Sequence, residues 1–183
     1  MRPRIVDRQL LFKGPRCRLE VHRLEHPETG LSQVKEVLVH PGTVMVVAVT
    51  ADDQLLLIRT RRHAVDEVLI ELPGGGLEGD ETPMDAAGRE LLEETGYLAG
   101  RLTPLASFYA SPAFTTERVH VFVAGELERH GQRLEAGEEI EVYPVAVDEA
   151  LDMAGSGVLQ DARTVAALLM YARWRDGLGH RET

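Results

Sequence analysis

Several ingredients that mark particular protein classes are scarce or missing in this chain of 183 residues. Cys17 is the single cysteine, which excludes an intramolecular disulfide and a cysteine-rich zinc site. No apolar run approaches the roughly 18 residues of a membrane span. The opening MRPRIVDRQL lacks the apolar core of a secretory signal. A cationic surplus is missing too: the net charge is −10 and the pI about 5.2. No nonspecific basic surface for nucleic acid is therefore expected, and a long polyanion is repelled at distance. A small anionic substrate remains compatible if a metal neutralises it locally. These absences together predict a cytoplasmic protein that engages neither membranes nor nucleic acid.

What is present is an ordinary globular composition, 44% hydrophobic and 27% charged. The length fits one compact domain with a small appended element. Residues 5–25 read as two short strands around the turn Lys13-Gly14-Pro15, and 33–39 as a third, after the turn 26–30. The expected organisation is a β element at 1–40, followed by the main domain at 41–183. Within the latter, the apolar run 44–49 and the segment 54–59 flank the turn Ala51-Asp52-Asp53 and read as a buried hairpin. Residues 68–72, 105–109, 119–124 and 141–147 are further strand candidates, and 126–139 is polar enough for a mobile loop. A short helix is expected at 148–154. A longer one at 161–175 carries Val165, Leu168, Leu169 and Ala172 as its apolar stripe. Mixed strands alternating with helices predict an α/β sandwich.

The densest signal lies in residues 75–97, GGLEGDETPMDAAGRELLEETGY. Thr82 suits a helix N-cap, Pro83 the first helical position, Asp85 completes a Thr-x-x-Asp box, and Gly96 is the C-terminal stop. Helical spacing places Met84, Ala87, Gly88, Leu91 and Leu92 on one side, with Glu90, Glu93 and Glu94 opposite. Glu90 and Glu94 stand one turn apart and can share an ion cluster, with Glu93 at its flank. Like charges so spaced cost a helix roughly a few tenths of a kcal/mol, and a metal converts that repulsion into ligation. Hard oxygen ligands favour Mg²⁺, Mn²⁺ or Ca²⁺ over zinc. A lone Glu-Glu pair is more often a solvated helix face. Here a glycine turn and Glu81 accompany it.

The segment resembles the Nudix box, G-x5-E-x7-R-E-U-x-E-E-x-G-U, where U is a bulky apolar residue. Gly75, Glu81, Arg89, Glu90, Leu91, Glu93, Glu94 and Gly96 match in register, and only Tyr97 departs from the usual aliphatic choice. The resemblance implies an α/β/α sandwich with a mixed sheet, here preceded by a small N-terminal antiparallel sheet. It also implies hydrolysis of a nucleoside diphosphate linked to another group. Glu90 and Glu94 would be the principal metal ligands, Glu93 an additional one, and a backbone carbonyl near Gly74 a further one. The implied ions are Mg²⁺ or Mn²⁺, two or three per site. Arg89 would be a structural partner that orients Glu93.

Flanking residues are similar to the ADP-ribose pyrophosphatase branch of that family. Pro112 stands sixteen residues after Gly96, within SPAFTTE, and the segments EVLVHPGTVMVVAV, ELPGGG and DARTVAALL are similar as well. The expected reaction is attack of water on a phosphorus of ADP-ribose, giving AMP and ribose 5-phosphate. The general base is expected at Glu138 or Glu139, with Glu81 as the alternative and Glu135 and Glu141 competing. The resemblance implies that Arg62 contacts the substrate, and a guanidinium can grip a phosphate bidentately; Arg59 and Arg61 alternate along the same strand end. Glu71 and Phe114 are candidates for nucleoside contact, alongside Pro112. No role is assigned to His63. The N-terminal strands carry Leu10, Leu11 and Phe12, which need cover, and the resemblance implies a homodimer built through them. Alternative substrates are GDP-mannose, NADH or a flavin dinucleotide. A non-catalytic ADP-ribose-binding module is the alternative of another class.

Overall fold

The computed structural model describes residues 2–177, which form nine strands and three helices. They divide into two compact units, one comprising residues 2–42 with Tyr109–Arg118, the other Thr43–Phe108 with residues 119–177. No helix among the described residues is long and apolar enough to cross a membrane.

The first unit is an antiparallel sheet of β1 (Arg4–Lys13), β2 (Arg18–Glu25) and β3 (Ser32–Val39), in that order. The β1–β2 turn closes with Gly14 N donating to Cys17 O at 2.9 Å. The β2–β3 turn closes with His26 N donating to Leu31 O at 2.9 Å. Every residue of β1 is exposed, including Ile5, Val6, Leu10, Leu11 and Phe12. The loop around Pro112 is tied to β3. Leu38 N donates to Phe114 O at 2.8 Å, and Thr116 N donates to Leu38 O at 3.0 Å. The Thr115 hydroxyl also donates to Leu38 O, at 3.0 Å.

In the second unit, one sheet has the order β4 (Thr43–Ala48), β8 (Arg118–Arg129), β7 (Tyr97–Tyr109), with β4 and β8 parallel. The other has the order β6 (Glu67–Glu71), β5 (Gln54–Arg62), β9 (Ile140–Ala146), antiparallel throughout. The helices are α1 (Pro83–Thr95), α2 (Val147–Ser156) and α3 (Ala162–Arg175). Side chains alternate along the central strands. Val44, Val46, Ala48 and Leu56 pack with Ala86, Ala87 and Leu91 of α1. Met45, Val47, Leu55 and Leu57 pack with Ala150, Ala167, Leu168 and Tyr171 of α2 and α3. Sheet between helix layers is the α/β/α sandwich the sequence implied, with the small N-terminal sheet alongside in sequence. Tyr97 fills its apolar seat, packing on the α1 side of the core.

Three local readings need correction. The segments read as a β4–β5 hairpin belong to different sheets and share only the bridge between Val49 and Leu55. On α3 the buried stripe is Thr164, Ala167, Leu168 and Tyr171, while Leu169 is 48% exposed. Thr164 was missed because it is polar, yet its hydroxyl is satisfied internally: it accepts from Leu72 N at 3.0 Å and donates to Asp161 Oδ2 at 2.8 Å. On α1, Met84 is exposed and Glu94 is only 6% exposed, so the carboxylates do not form one solvated face.

Candidate active site

Helix α1 begins and ends where its sequence directs. Thr82 Oγ1 accepts from Asp85 N at 3.2 Å and donates to Asp85 Oδ2 at 2.6 Å, and Pro83 occupies the first turn. Gly96 closes the helix in the left-handed conformation, φ 75°, with its N–H donating to Leu92 O. The turn before the helix crosses the strands too closely for side chains. A Cβ on Gly74 would lie 2.1 Å from Val44 O, and one on Gly75 would lie 2.3 Å from Glu90 Oε1. Hydrogen bonds fix this crossing: Val44 N donates to Gly75 O and Val46 N to Pro73 O, each at 2.9 Å.

The result is a carboxylate pair pressed against a backbone turn. Glu94 Oε2 accepts from Gly74 N at 2.7 Å. Burial pushes the Glu94 carboxyl up to about 8; the Gly74 N–H opposes this and the neighbouring Glu90 charge adds to it. Burial likewise raises Glu90, against the pull of Arg89. Arg89 gathers the remaining acids. Its Nε donates to Glu81 Oε2 at 3.1 Å and its Nη2 to Glu81 Oε1 at 2.8 Å. Its Nη1 donates to Glu90 Oε1 at 2.9 Å and Glu93 Oε2 at 3.0 Å. Glu81 also accepts from Glu78 N at 2.7 Å, and Arg89 holds its carboxyl below the usual range. Glu81 thus fastens the glycine loop to the helix.

The candidate bases separate by environment. Glu138 is half-buried and its charge raises both Glu90 and Glu94, whereas Glu139 is exposed. Glu138 Oε2 accepts from Glu135 N at 2.9 Å, folding its loop back on itself. Glu141 points to Arg59 at 3.5 Å on a largely exposed edge. The loop expected to be mobile is shorter than 126–139, because β8 runs on to Arg129. His130 N and Gly131 N donate to Gly96 O at 2.7 and 3.0 Å, and Arg133 N to Glu93 O at 2.9 Å. These donors serve carbonyls that a helix end leaves without internal partners.

Arg62 sits at the end of β5 in a bidentate pair, its Nε and Nη2 each 2.7 Å from the Glu71 carboxylate oxygens. Glu71 is 1% exposed and also receives Arg163 Nη2 at 3.5 Å. Arg163 Nε in turn meets Asp161 Oδ1 at 3.0 Å, and Asp161 caps α3 through Thr164 N. Glu71 is therefore the internal counter-ion of two arginines. Arg59 lies over the Tyr143 ring at 3.9 Å and Arg61 pairs with Asp66. Pro112 and Phe114 belong to the first unit, where the Phe114 ring is 55% exposed. The sequence reading gave Arg163, Thr164 and Gln132 no individual roles, although Arg163 and Thr164 lie within the DARTVAALL segment.

Among the described residues no three acidic, histidine or cysteine side chains are already drawn into metal-coordinating geometry. The donor chemistry nevertheless fits a hard divalent cation. Half-buried Glu90 and buried Glu94 are carboxylates whose charged forms are disfavoured, Glu94 has an amide rather than a cation as its hydrogen-bond partner, and Glu93 lies beside them on the helix.

Comparison with known proteins agrees with this geometry. Residues 39–168 match the model of the NUDIX domain. The ADP-ribose pyrophosphatase of Bacillus subtilis (strain 168) is 36% identical over 175 residues, 94% of each chain. The methanol dehydrogenase activator of Bacillus methanolicus is 32% identical over 178 residues, 96% of this chain and 95% of that one. A crystal structure of an ADP compounds hydrolase superposes with a TM-score of 0.85 at 25% identity, covering 98% of this chain and 97% of the other. Hydrolases of the Nudix family use divalent metals. With the box, the fold and these matches in agreement, the chain belongs to the Nudix family and is a Nudix hydrolase.

Proposed function

We propose that this hydrolase cleaves the diphosphate of ADP-ribose, or of a similar ADP-sugar, to AMP and ribose 5-phosphate. The observation that carries the reading is the pair of half-buried Glu90 and buried Glu94 against the Gly74-Gly75 turn. Glu90 and Glu94, with Glu93 and the Gly74 carbonyl, would hold Mg²⁺ or Mn²⁺, two or three ions per site. Such ions lower the pKa of water and neutralise diphosphate charge when bound. Glu138 takes the proton of the attacking water as the new phosphorus–oxygen bond forms and the bridging bond breaks. Its half-buried place beside the metal carboxylates supports it over exposed Glu139, and the Arg89 pairing argues against Glu81. Arg62, braced by Glu71, offers its guanidinium to a substrate phosphate. Pro112 and exposed Phe114 contact the nucleoside, the ring by stacking.

The proposed arrangement assigns 1–40 to a β element through which the chain forms a homodimer and 41–183 to the hydrolase domain. The exposed apolar side chains of β1 support the homodimer, because such a strand needs cover. The proposed location is the cytoplasm. The assay is hydrolysis of ADP-ribose against GDP-mannose, NADH and a flavin dinucleotide, with Mg²⁺ and with Mn²⁺, read as phosphate released after phosphatase coupling. Preference for ADP-ribose supports the reading. Preference for another member, or binding without metal-dependent turnover on any, overturns it.

A further inference from the structure

The loop that carries Glu138 leaves the end of β8 and returns at Ile140, the first residue of β9. Its neck is narrow, and one side chain crosses it. Gln132 Nε2 donates to Glu94 O at 2.6 Å and to Ile140 O at 3.4 Å. A primary amide has two hydrogens on that nitrogen, so both bonds can be made at once. The first bond reaches the last turn of α1, whose carbonyls lack helical partners. The second reaches the residue at which the chain re-enters the sheet, paired there with Thr60. The backbone approach is as close: a Cβ on Gly96 would lie 2.6 Å from Gln132 N.

We propose that Gln132 is a positioning residue that sets Glu138 against the carboxylates of α1 by clamping both ends of the 133–139 loop to the helix that carries them. The inference rests on Glu138 being the general base. Without the amide, backbone bonds from His130, Gly131 and Arg133 still hold the outgoing limb to α1. The return limb at Ile140 then loses its tie to the helix, and Gly137, in the left-handed region at φ 93°, gives the freed segment a pivot. The loop would sample more conformations, and the fraction holding Glu138 within reach of the water would fall. The side chains of Glu90, Glu93 and Glu94 make no bond to Gln132, so metal affinity stays as it is.

The test is a double-mutant cycle of Gln132→Met, which keeps length and loses both donors, with Glu138→Gln. Gln132→Met alone should lower kcat by about tenfold or more, with KM for ADP-ribose and Mn²⁺ affinity by electron paramagnetic resonance each within about twofold of the parent. In the Glu138→Gln background the same substitution should change kcat by less than about twofold. Losses that multiply, or a parallel fall in Mn²⁺ affinity, overturn the role of Gln132 while leaving Glu138 as the base. A Glu138→Gln enzyme near full activity overturns the base assignment itself, and the proposal with it. Amide hydrogen exchange supplies a readout free of turnover: residues 133–139 should exchange faster in Gln132→Met while α1 is unchanged, and unchanged loop exchange contradicts the clamp.

Discussion

Gly74 N–H donates to Glu94 Oε2 at 2.7 Å, and this bond is where the glycine turn and the acidic helix become one site. It gives a buried carboxylate a dipole instead of a counter-charge. Burial nevertheless pushes the carboxyl up to about 8 from an ordinary 4.5, with the Gly74 N–H opposing the rise.

That shift has a sign that can be measured on the metal-free protein. The folded chain binds the Glu94 proton more tightly than the unfolded chain does. Stability from this group is therefore full below about 4.5 and is lost as pH rises toward about 8. Glu90, also raised, acts in the same direction, while the lowered Glu81 and Asp161 act in the acid window below their ordinary values. Thermal melts should show metal-free stability declining from pH 5 to pH 8, and Mg²⁺ should raise Tm more at the alkaline end. Glu94→Gln should flatten the decline. A metal-free Tm that climbs through this window contradicts the assignment.

Gly75→Ala puts a methyl 2.3 Å from Glu90 Oε1, against a side chain that Arg89 already holds. The expected loss is about 100-fold in kcat, the scale of a displacement of about 1 Å in a catalytic group. The destabilisation should be about 1–3 kcal/mol, as for overpacking elsewhere. Near-parental turnover would show that Glu90 has room to move and that its place is not set by the turn.

Glu81 and Glu138 can be told apart by their pH profiles. Glu138→Gln should remove the acid limb of the kcat profile, because the ionised group that takes the proton is gone. Glu81→Gln should lower the rate through a loosened loop and leave that limb in place, since Arg89 occupies its carboxylate. The opposite pattern would move the base to Glu81.

Phe12 is 60% exposed on β1, with Leu10 and Leu11 beside it. If this strand is the dimer face, Phe12→Asp should shift sedimentation at micromolar concentration from dimer toward monomer. A parental chain that sediments as a monomer removes the dimer from the proposal.

What could be read from the sequence was whatever acts within a few turns of chain. Thr82, Pro83 and Gly96 bound a helix wherever it lies, and the spacing of Glu90 and Glu94 carries their pairing with it. The internal pairing of Glu71 was harder to read, because one of its two arginine partners lies 92 residues away. The supposed hairpin failed because β4 takes its partner from β8, and a parallel pairing leaves no local turn signal. Gln132 was invisible for a related reason: its partner is a backbone carbonyl 38 residues distant, and every residue type has a carbonyl.

The most direct test compares Mg²⁺-dependent hydrolysis of ADP-ribose by the parent and by Glu94→Gln, with both confirmed folded by circular dichroism. The expected result is turnover by the parent that disappears on chelation, and near-complete loss in the variant. A folded Glu94→Gln protein with close to full activity would contradict the metal-site assignment.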